Sequence, residues 1–155
     1  MRKRTQKGKK KNLTEIYTNS SNTLAPKGSN PSTPSISACM IVKNEEKLLP
    51  RCLESIKDHV DEIVIVDTGS SDRSVEIAKR FGAKVYHHPW EDNFSKHRNQ
   101  SISYAGGDWI LIIDADEEID GQSAPIIRKL VAEVDTAGIT FNVRSYLDGG
   151  TYYTE

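Results

Sequence analysis

The stretch WILIIDADEE, residues 109–118, constrains the fold more than any other part of this chain. It opens with five apolar residues in a row, Trp109 to Ile113, without polar alternation. That pattern is typical of a strand buried on both faces of a parallel sheet. Two acids, Asp114 and Asp116, follow directly, and in extended chain side chains two residues apart point to the same side. The stretch therefore predicts a buried strand that delivers two carboxylates to one place.

Two neighbouring carboxylates repel each other unless a cation lies between them. Oxygen ligands are those that hard divalent cations prefer, and such cations also bind phosphate groups. We therefore interpret Asp114 and Asp116 as candidate ligands of a divalent cation beside a phosphate-bearing ligand.

From residue 36 the chain repeats a strand followed by a helix. Strands are predicted at residues 36–42, 62–66, 83–87, 109–113 and 138–143, and a further strand is predicted to begin within 146–155. Helices are predicted at residues 45–57, 73–81 and 94–104, and a fourth helix is predicted to be capped by Ser123 and to run to about residue 134. Repeats of this length favour an α/β fold, with a mostly parallel sheet, right-handed crossovers and helices on both faces.

The first part of the chain differs in composition from the rest. Residues 1–35 are predicted to be a disordered basic and polar tail, because they combine a Lys/Arg run with Asn, Ser, Thr, Gly and Pro. The domain boundary is placed near Ser35, so removal of residues 1–34 is expected to leave folding intact. Residues 1–12 hold 7 of the 21 basic residues and none of the 22 acidic ones. This run either keeps the chain soluble or contacts an acidic lipid surface or RNA.

The remainder of the chain is acidic and does not offer the basic face of a nucleic-acid-binding domain. Its two cysteines, Cys39 and Cys52, lie in apolar contexts without CxxC spacing, which predicts buried free thiols and a reducing compartment. No apolar run approaches the roughly 20 residues that span a bilayer, and no signal-peptide pattern is present. We expect a cytoplasmic protein whose basic tail can contact the inner face of the membrane.

Polar residues follow each of the four predicted parallel strands. They are Asn44 and Glu45, then Asp67, then His87 and His88, and finally Asp114 and Asp116. In open α/β sheets ligands bind beyond the carboxyl ends of the strands, so the four ends together predict one shared site. The motifs GxGxxG and GxxxxGK[ST] are absent from the sequence, so neither the usual dinucleotide-binding fold nor a P-loop is supported.

Three segments, ISACMIVKNEE, EIVIVDTGSSDRSVEIA and FSKHRNQSISYAGGDWILIIDADEE, resemble the family 2 glycosyltransferases in order and spacing. The resemblance covers roughly residues 36–143 and implies the GT-A fold, a Rossmann-like nucleotide-sugar domain spanning 36–155. It also implies transfer of a sugar from a nucleotide-diphosphate sugar, dependent on Mg²⁺ or Mn²⁺ and most often inverting. The acceptor, a glycan, a lipid or a peptide, is left open.

The resemblance also implies roles for single residues. The segment from Val42 to Glu45, which includes Asn44, would line the nucleotide pocket, and Asp67 would bind the base or the ribose. Arg98, in the third helix, would lie near the nucleotide or the diphosphate, and the alternative for this residue is a structural ion pair.

In the family's DxD motif the first acid lies near the ribose and the second ligates the metal, which implies these roles for Asp114 and Asp116. The family's general base comes from a carboxylate well downstream, and this chain ends 39 residues after Asp116. The chain is therefore predicted to be the donor half of a transferase, incomplete at its C-terminus and without the base. Glu117 and Glu118 are interpreted as solvated turn residues.

Two other classes of function are weighed against this one. The first is a nucleotide-sugar-binding domain without turnover, because the acceptor half is absent. The second is a phosphotransferase of the haloacid dehalogenase type, which is disfavoured because its DxD follows the first strand, with Thr or Val where Glu118 stands here.

Trp90 and Phe94 are interpreted as residues that fasten their loop to the sheet rather than stack a base.

Overall fold

The computed structural model describes residues 14–19, 33–141, 144–146 and 152–154. Six strands form the main sheet: β1 (Thr14–Thr18), β2 (Ile36–Val42), β3 (Glu62–Asp67), β4 (Lys84–His87), β5 (Trp109–Ile112) and β6 (Gly138–Phe141). The helices of the described part are α1 (Leu49–Ile56), α2 (Ser74–Arg80), α3 (Phe94–Ser103) and α4 (Ala124–Glu133). Two further strands, β7 (Arg144–Tyr146) and β8 (Tyr152–Thr154), pair with each other.

The strand order of the main sheet is β4-β3-β2-β5-β1-β6. β2, β3, β4 and β5 are parallel, and β1 runs antiparallel to both of its neighbours, β5 and β6. The predicted mostly parallel α/β sheet is confirmed.

Helix α1 begins at Leu49 rather than at residue 45, because Glu45 to Leu48 form a turn in which the amides of Leu48 and Leu49 donate to the Glu45 carbonyl.

Helices cover both faces of the sheet, as predicted. Successive residues of a strand point to opposite faces, so on β2 Met40 packs into the core under α1, α2 and α4, whereas Cys39 packs with Val64 and Ile110 under α3. The buried stripe of α1 includes Leu53. Burial on both faces explains why the central strands read as continuous apolar runs.

Strand β1 is not among the strands predicted from the sequence. Its central residue, Ile16, stands opposite Leu111 of β5 and Ile139 of β6 and is 1% exposed. The prediction of a disordered tail up to Ser35 is therefore wrong for Thr14–Thr18, and the folded domain begins before that boundary.

The physical reason is that β1 is held by partners far away in the sequence. The segment TEIYT is short and mostly polar, and its apolar anchor, Ile16, gives no periodic pattern that local analysis could recognise. Of the rest of the predicted tail, residues 1–13 and 20–32 lie outside the described residues.

Both cysteines are free and fully buried, as the sequence predicts. Burial raises the pKa of each thiol to about 12, so Cys39 and Cys52 are inert thiols. Within the described residues, no helix combines the length and the apolar character needed to cross a bilayer.

Candidate functional site

The site is built at the carboxyl edge of the parallel strands. Val42 is in register with Asp67, and Asp67 is in register with His87, so β2, β3 and β4 end side by side. Asp114 follows β5 by two residues, and Ile112 of β5 pairs with β2. Because β2 alone separates β3 from β5, Asp67 and Asp114 lie about two strand spacings, roughly 10 Å, apart along one edge. The structure brings the predicted strand ends together.

Asp67 is held rigidly at the end of β3. Its side chain is 4% exposed and accepts hydrogen bonds from the amides of Gly69 at 3.3 Å and Ser70 at 3.2 Å. The turn that supplies these amides has Gly69 at a φ of 108°, a conformation that glycine adopts without strain. His87 Nδ1 lies 3.2 Å from Asp67 Oδ2, and its ring is 60% exposed. The histidine, which the sequence marks only as a strand end, is thus a direct neighbour of Asp67.

Asn44 ties two loops of the site together. Its φ is 57°, its amide donates to Ser70 Oγ at 3.0 Å, and its Oδ1 accepts from the Ser71 amide at 2.8 Å. The Glu45 amide next to it donates to Ser74 Oγ at 2.7 Å. The side chain of Asn44 therefore joins the β2–α1 loop to the β3–α2 loop. The stretch DTGSSD, residues 67–72, contains turn-forming residue types, and no local signal in the sequence points to this bridge.

Replacing Asn44 by alanine is expected to lower the free energy of unfolding by about 1–3 kcal/mol. Asparagine tolerates the left-handed backbone better than alanine, for which this conformation costs up to about 1–2 kcal/mol, and the lost hydrogen bond costs about 1 kcal/mol. Asn44→Gly is the matched control, because glycine accepts the backbone and loses only the hydrogen bond. Urea unfolding measures both variants, and equal losses for the two would contradict the role of the backbone conformation.

Arg98 bridges the third helix and the DxD motif. Its Nη2 lies 2.6 Å from Asp114 Oδ1, its Nη1 lies 3.4 Å from the Cys39 carbonyl, and its side chain is 16% exposed. The ring of Phe94, one turn earlier on α3, lies 5.5 Å from the guanidinium carbon. The helix is set in place by Asn93, whose side chain accepts from the Lys96 amide at 3.0 Å. The ion pair considered for Arg98 is present, and its partner is a candidate site residue.

The DxD acids stand on a turn rather than in extended chain. The Glu117 amide donates to the Asp114 carbonyl at 3.0 Å, and the Asp114 amide donates to Glu117 Oε2 at 3.0 Å. The extended-chain reason for placing Asp114 and Asp116 on one side is therefore wrong. Asp114 is half-buried and bound by Arg98, whereas Asp116 is exposed and makes no hydrogen bond or ion pair with the described residues.

Negative charge accumulates where the turn approaches the neighbouring loop and helix. Burial, followed by the charges of Asp116 and Asp72, raises the pKa of Glu45. The thiol of Cys52 lies 3.4 Å from the Asp114 carbonyl, under the turn. An exposed, unpaired carboxylate in such a field is a suitable place for a divalent cation.

The donor set fits a cation that a ligand helps to hold. In the described part of the chain, no cluster of three or more His, Cys, Asp or Glu residues is arranged to bind a metal alone. Asp116 and Asp114 offer carboxylate oxygens, and Mg²⁺ is commonly bound by one or two carboxylates together with phosphate oxygens and water. The same pair of acids predicted from the sequence would hold the ion.

Three acids that follow the DxD motif closely are occupied by structural contacts. Glu117 caps the turn, Glu118 pairs with Arg51 at 2.7 Å, and Asp120 accepts from amides at the start of α4. Asp148 lies outside the described residues. Glu117, Glu118 and Asp120 thus each have a local partner within the protein.

Comparison with known proteins places this chain in a family. The profile described as "Glycosyl transferase family 2" matches residues 37–155. A TPR repeat-containing protein of Synechococcus elongatus is 58% identical over 84 residues, which are 54% of this chain and 21% of that protein. The SPbeta prophage-derived glycosyltransferase SunS of Bacillus subtilis is 34% identical over 118 residues, which are 75% of this chain and 28% of that protein.

A solved structure shows the same fold. Glucosyl-3-phosphoglycerate synthase from Mycobacterium tuberculosis, crystallised with Mn²⁺, UDP and glucosyl-3-phosphoglycerate, superimposes with a TM-score of 0.55 at 20% identity, covering 73% of this chain and 47% of that one. This chain thus has a GT-A fold and spans between a fifth and a third of the length of the two curated relatives. Because the family profile covers the described α/β domain from β2 onward, this chain belongs to glycosyl transferase family 2.

Proposed function

We propose that this chain is the donor-binding domain of a glycosyltransferase that takes a sugar from a nucleotide-diphosphate sugar with the help of a divalent cation. The observation that carries the proposal is the edge shared by buried Asp67, the Arg98–Asp114 pair and exposed Asp116. These groups offer acceptors for sugar or base hydrogens, a fixed positive charge and a free carboxylate. Binding of a nucleoside diphosphate together with a cation requires all three kinds of group.

Each residue has a proposed contact with the donor. Asp67, fixed by the amides of its turn, accepts hydrogen bonds from the base or from ribose hydroxyls. The backbone from Val42 to Glu45, kept in shape by Asn44, forms the wall beside it. Asp114, oriented by Arg98, faces the ribose.

Asp116, with Asp114 beside it, is proposed to ligate Mg²⁺ or Mn²⁺. The cation supplies charge stabilisation for the diphosphate that leaves when the sugar–phosphate bond breaks. Arg98 lies in the same place and contributes the positive charge of its guanidinium. The crystal structure of M. tuberculosis glucosyl-3-phosphoglycerate synthase, which contains Mn²⁺ and UDP, supports this choice of metal and donor.

Inverting transfer also requires a base that takes the proton of the acceptor hydroxyl. Glu117, Glu118 and Asp120 have structural partners, so none is assigned to this role. We propose that the base belongs to an acceptor-binding part of a longer protein, and that the acceptor is a glycan, a lipid or a peptide. The buried free thiols support a reducing, cytoplasmic location.

A second candidate is binding of the donor without transfer by this chain alone. It is favoured by the structural partners of the acids after β5 and by the small share of each relative that the chain covers. Transfer and binding are separated by measuring UDP release and UDP affinity on the same preparation.

Isothermal titration of the 155-residue chain with UDP, GDP, CDP and ADP tests the proposal. In the presence of Mn²⁺ one nucleoside diphosphate is expected to bind, and EDTA is expected to weaken that binding by about tenfold or more, which corresponds to about 1.4 kcal/mol. Inorganic pyrophosphate with Mn²⁺ serves as the base-free comparison. Absence of binding across the whole panel would overturn the donor site.

A further inference from the structure

Two aromatic side chains lie exposed at the edge that carries the site. Trp90 is 39% exposed and Phe94 is 55% exposed, and their ring centroids are 6.2 Å apart at an interplanar angle of 71°. Among the large apolar side chains of the described part, two others are exposed, Leu48 and Ile126, and neither is aromatic. Trp90 and Phe94, called here the aromatic pair, are therefore the flat apolar surface that this part of the chain presents to solvent.

Trp90 is fixed in place although it is exposed. Its indole stacks on His97 at 5.1 Å, and its Nε1 donates to Asp92 Oδ1 at 2.8 Å. His97 is fully buried and lies 3.3 Å from the Glu91 amide through Nε2. The interpretation of Trp90 as a residue that fastens its loop agrees with these contacts, but Phe94 leaves more than half of its surface outside the core.

The aromatic pair is linked to Asp67 on one side and to the Arg98–Asp114 pair on the other. On one side, the His88 amide donates to the Asp67 carbonyl at 2.9 Å, and Trp90 follows His88 by two residues, at most about 7 Å along the chain. On the other side, the Phe94 ring lies over Arg98, which holds Asp114. A ligand that reaches from Asp67 to Asp114 therefore passes close to the aromatic pair.

We propose that the aromatic pair is the stacking surface for the nucleobase of the donor, with Phe94 as its main contact. A nucleobase has a polar edge and two apolar faces. Asp67 offers an acceptor for the edge, and the exposed rings of Phe94 and Trp90 offer a larger apolar surface for a face than the imidazole of His87 beside Asp67. Stacking on an exposed ring covers that face and also removes the exposed apolar area of Phe94 from water. This inference rests on the proposed function.

Phe94→Leu tests the pair because leucine keeps an apolar side chain but removes the flat ring. The full 155-residue chain is titrated in Mn²⁺ with UDP, or with the nucleoside diphosphate that binds most tightly in the panel above, and separately with pyrophosphate. We expect the nucleotide affinity to fall by about tenfold and the pyrophosphate affinity to change by less than about twofold. Phe94→Tyr should restore nucleotide binding, and Ile126→Leu, an exposed apolar change on α4, should alter neither affinity.

Tryptophan fluorescence provides a second readout that a purely structural role would not produce. The nucleotide is expected to quench the emission of Trp90, pyrophosphate is not, and Trp90→Phe should remove the response while binding persists. Unchanged nucleotide affinity in Phe94→Leu overturns the stacking surface and leaves the donor site standing. An equal loss for nucleotide and pyrophosphate also overturns it, because Phe94 then acts only through Arg98. Failure of the wild-type chain to bind any of these ligands overturns the donor site itself.

Discussion

Asp116→Ala is expected to abolish the Mn²⁺-dependent part of the thermal stabilisation that a nucleoside diphosphate gives to this chain. Asp116 is the exposed carboxylate of the DxD turn and has no hydrogen bond or ion pair with the described residues. Its removal therefore costs the fold little but takes away the main candidate ligand of the cation. The variant should have the same melting temperature as the wild type in the absence of ligand.

The size of the effect follows from linkage between binding and folding. A ligand present at 100 times its Kd stabilises the folded state by about 2.7 kcal/mol. For a domain of this size that corresponds to a rise of about 5–10 °C in melting temperature. The wild-type chain should show this rise with UDP and Mn²⁺ together, and Asp116→Ala should show only what UDP gives in EDTA.

Glu118→Ala is the matched control for the loss of charge. Glu118 lies two residues from Asp116 on the same exposed stretch, and its contact is a solvent-exposed pair with Arg51. Such pairs contribute little to stability, so the control should keep the full metal-dependent rise. If both variants lost it equally, the turn would act through its summed charge and not through a ligand at Asp116.

The sequence predicts the parallel part of the fold because each central strand can be recognised from a local run of apolar residues. Val64 and Ile110 belong to apolar runs that are buried on both sides, and Leu53 belongs to a helical stripe. The convergence of Asp67 and Asp114 then follows from a general rule, since parallel strands place their carboxyl ends at one edge. No distant contact had to be known for these conclusions.

The features that the sequence does not predict depend on contacts between distant segments. The Arg98–Asp114 pair and the bond from Ser71 to Asn44 join residues on different strand-helix units, and nothing in either segment alone specifies the partner. The turn at Asp114 is closed by the side chain of Glu117, which by itself reads as a solvated acid. The geometry of the site is therefore a property of the assembled sheet rather than of the motifs.

Ile16→Ala is expected to be among the most destabilising single truncations outside the site. Ile16 is 1% exposed at the centre of β1, a strand that supplies hydrogen-bonded partners to both β5 and β6. Truncation of a buried isoleucine to alanine costs about 2–5 kcal/mol, which for this size of domain lowers the melting temperature by roughly 4–20 °C. Thermal and urea unfolding followed by circular dichroism measure the change.

Ile126→Ala is the matched control, because it makes the same chemical change at a site on α4 that is 52% exposed. Surface substitutions of this kind stay within about 0.5 kcal/mol of the wild type. Equal stability of the two variants would show that β1 contributes nothing to the sheet in solution.

Two deletions separate the strand from the residues around it. Removing residues 1–13 keeps β1, whereas removing residues 1–19 takes it away and leaves the facing edges of β5 and β6 without partners. Only the second deletion should reduce the cooperativity of unfolding, since it leaves backbone groups in the interior of the sheet without hydrogen-bond partners, which costs free energy. Strand β5, which pairs with β1, leads into Asp114 and the DxD turn. Loss of β1 should therefore also disturb the geometry of that turn and weaken nucleotide binding. If the chain without residues 1–19 unfolded as sharply as the full chain, the domain would begin at β2 and the boundary near Ser35 would be restored.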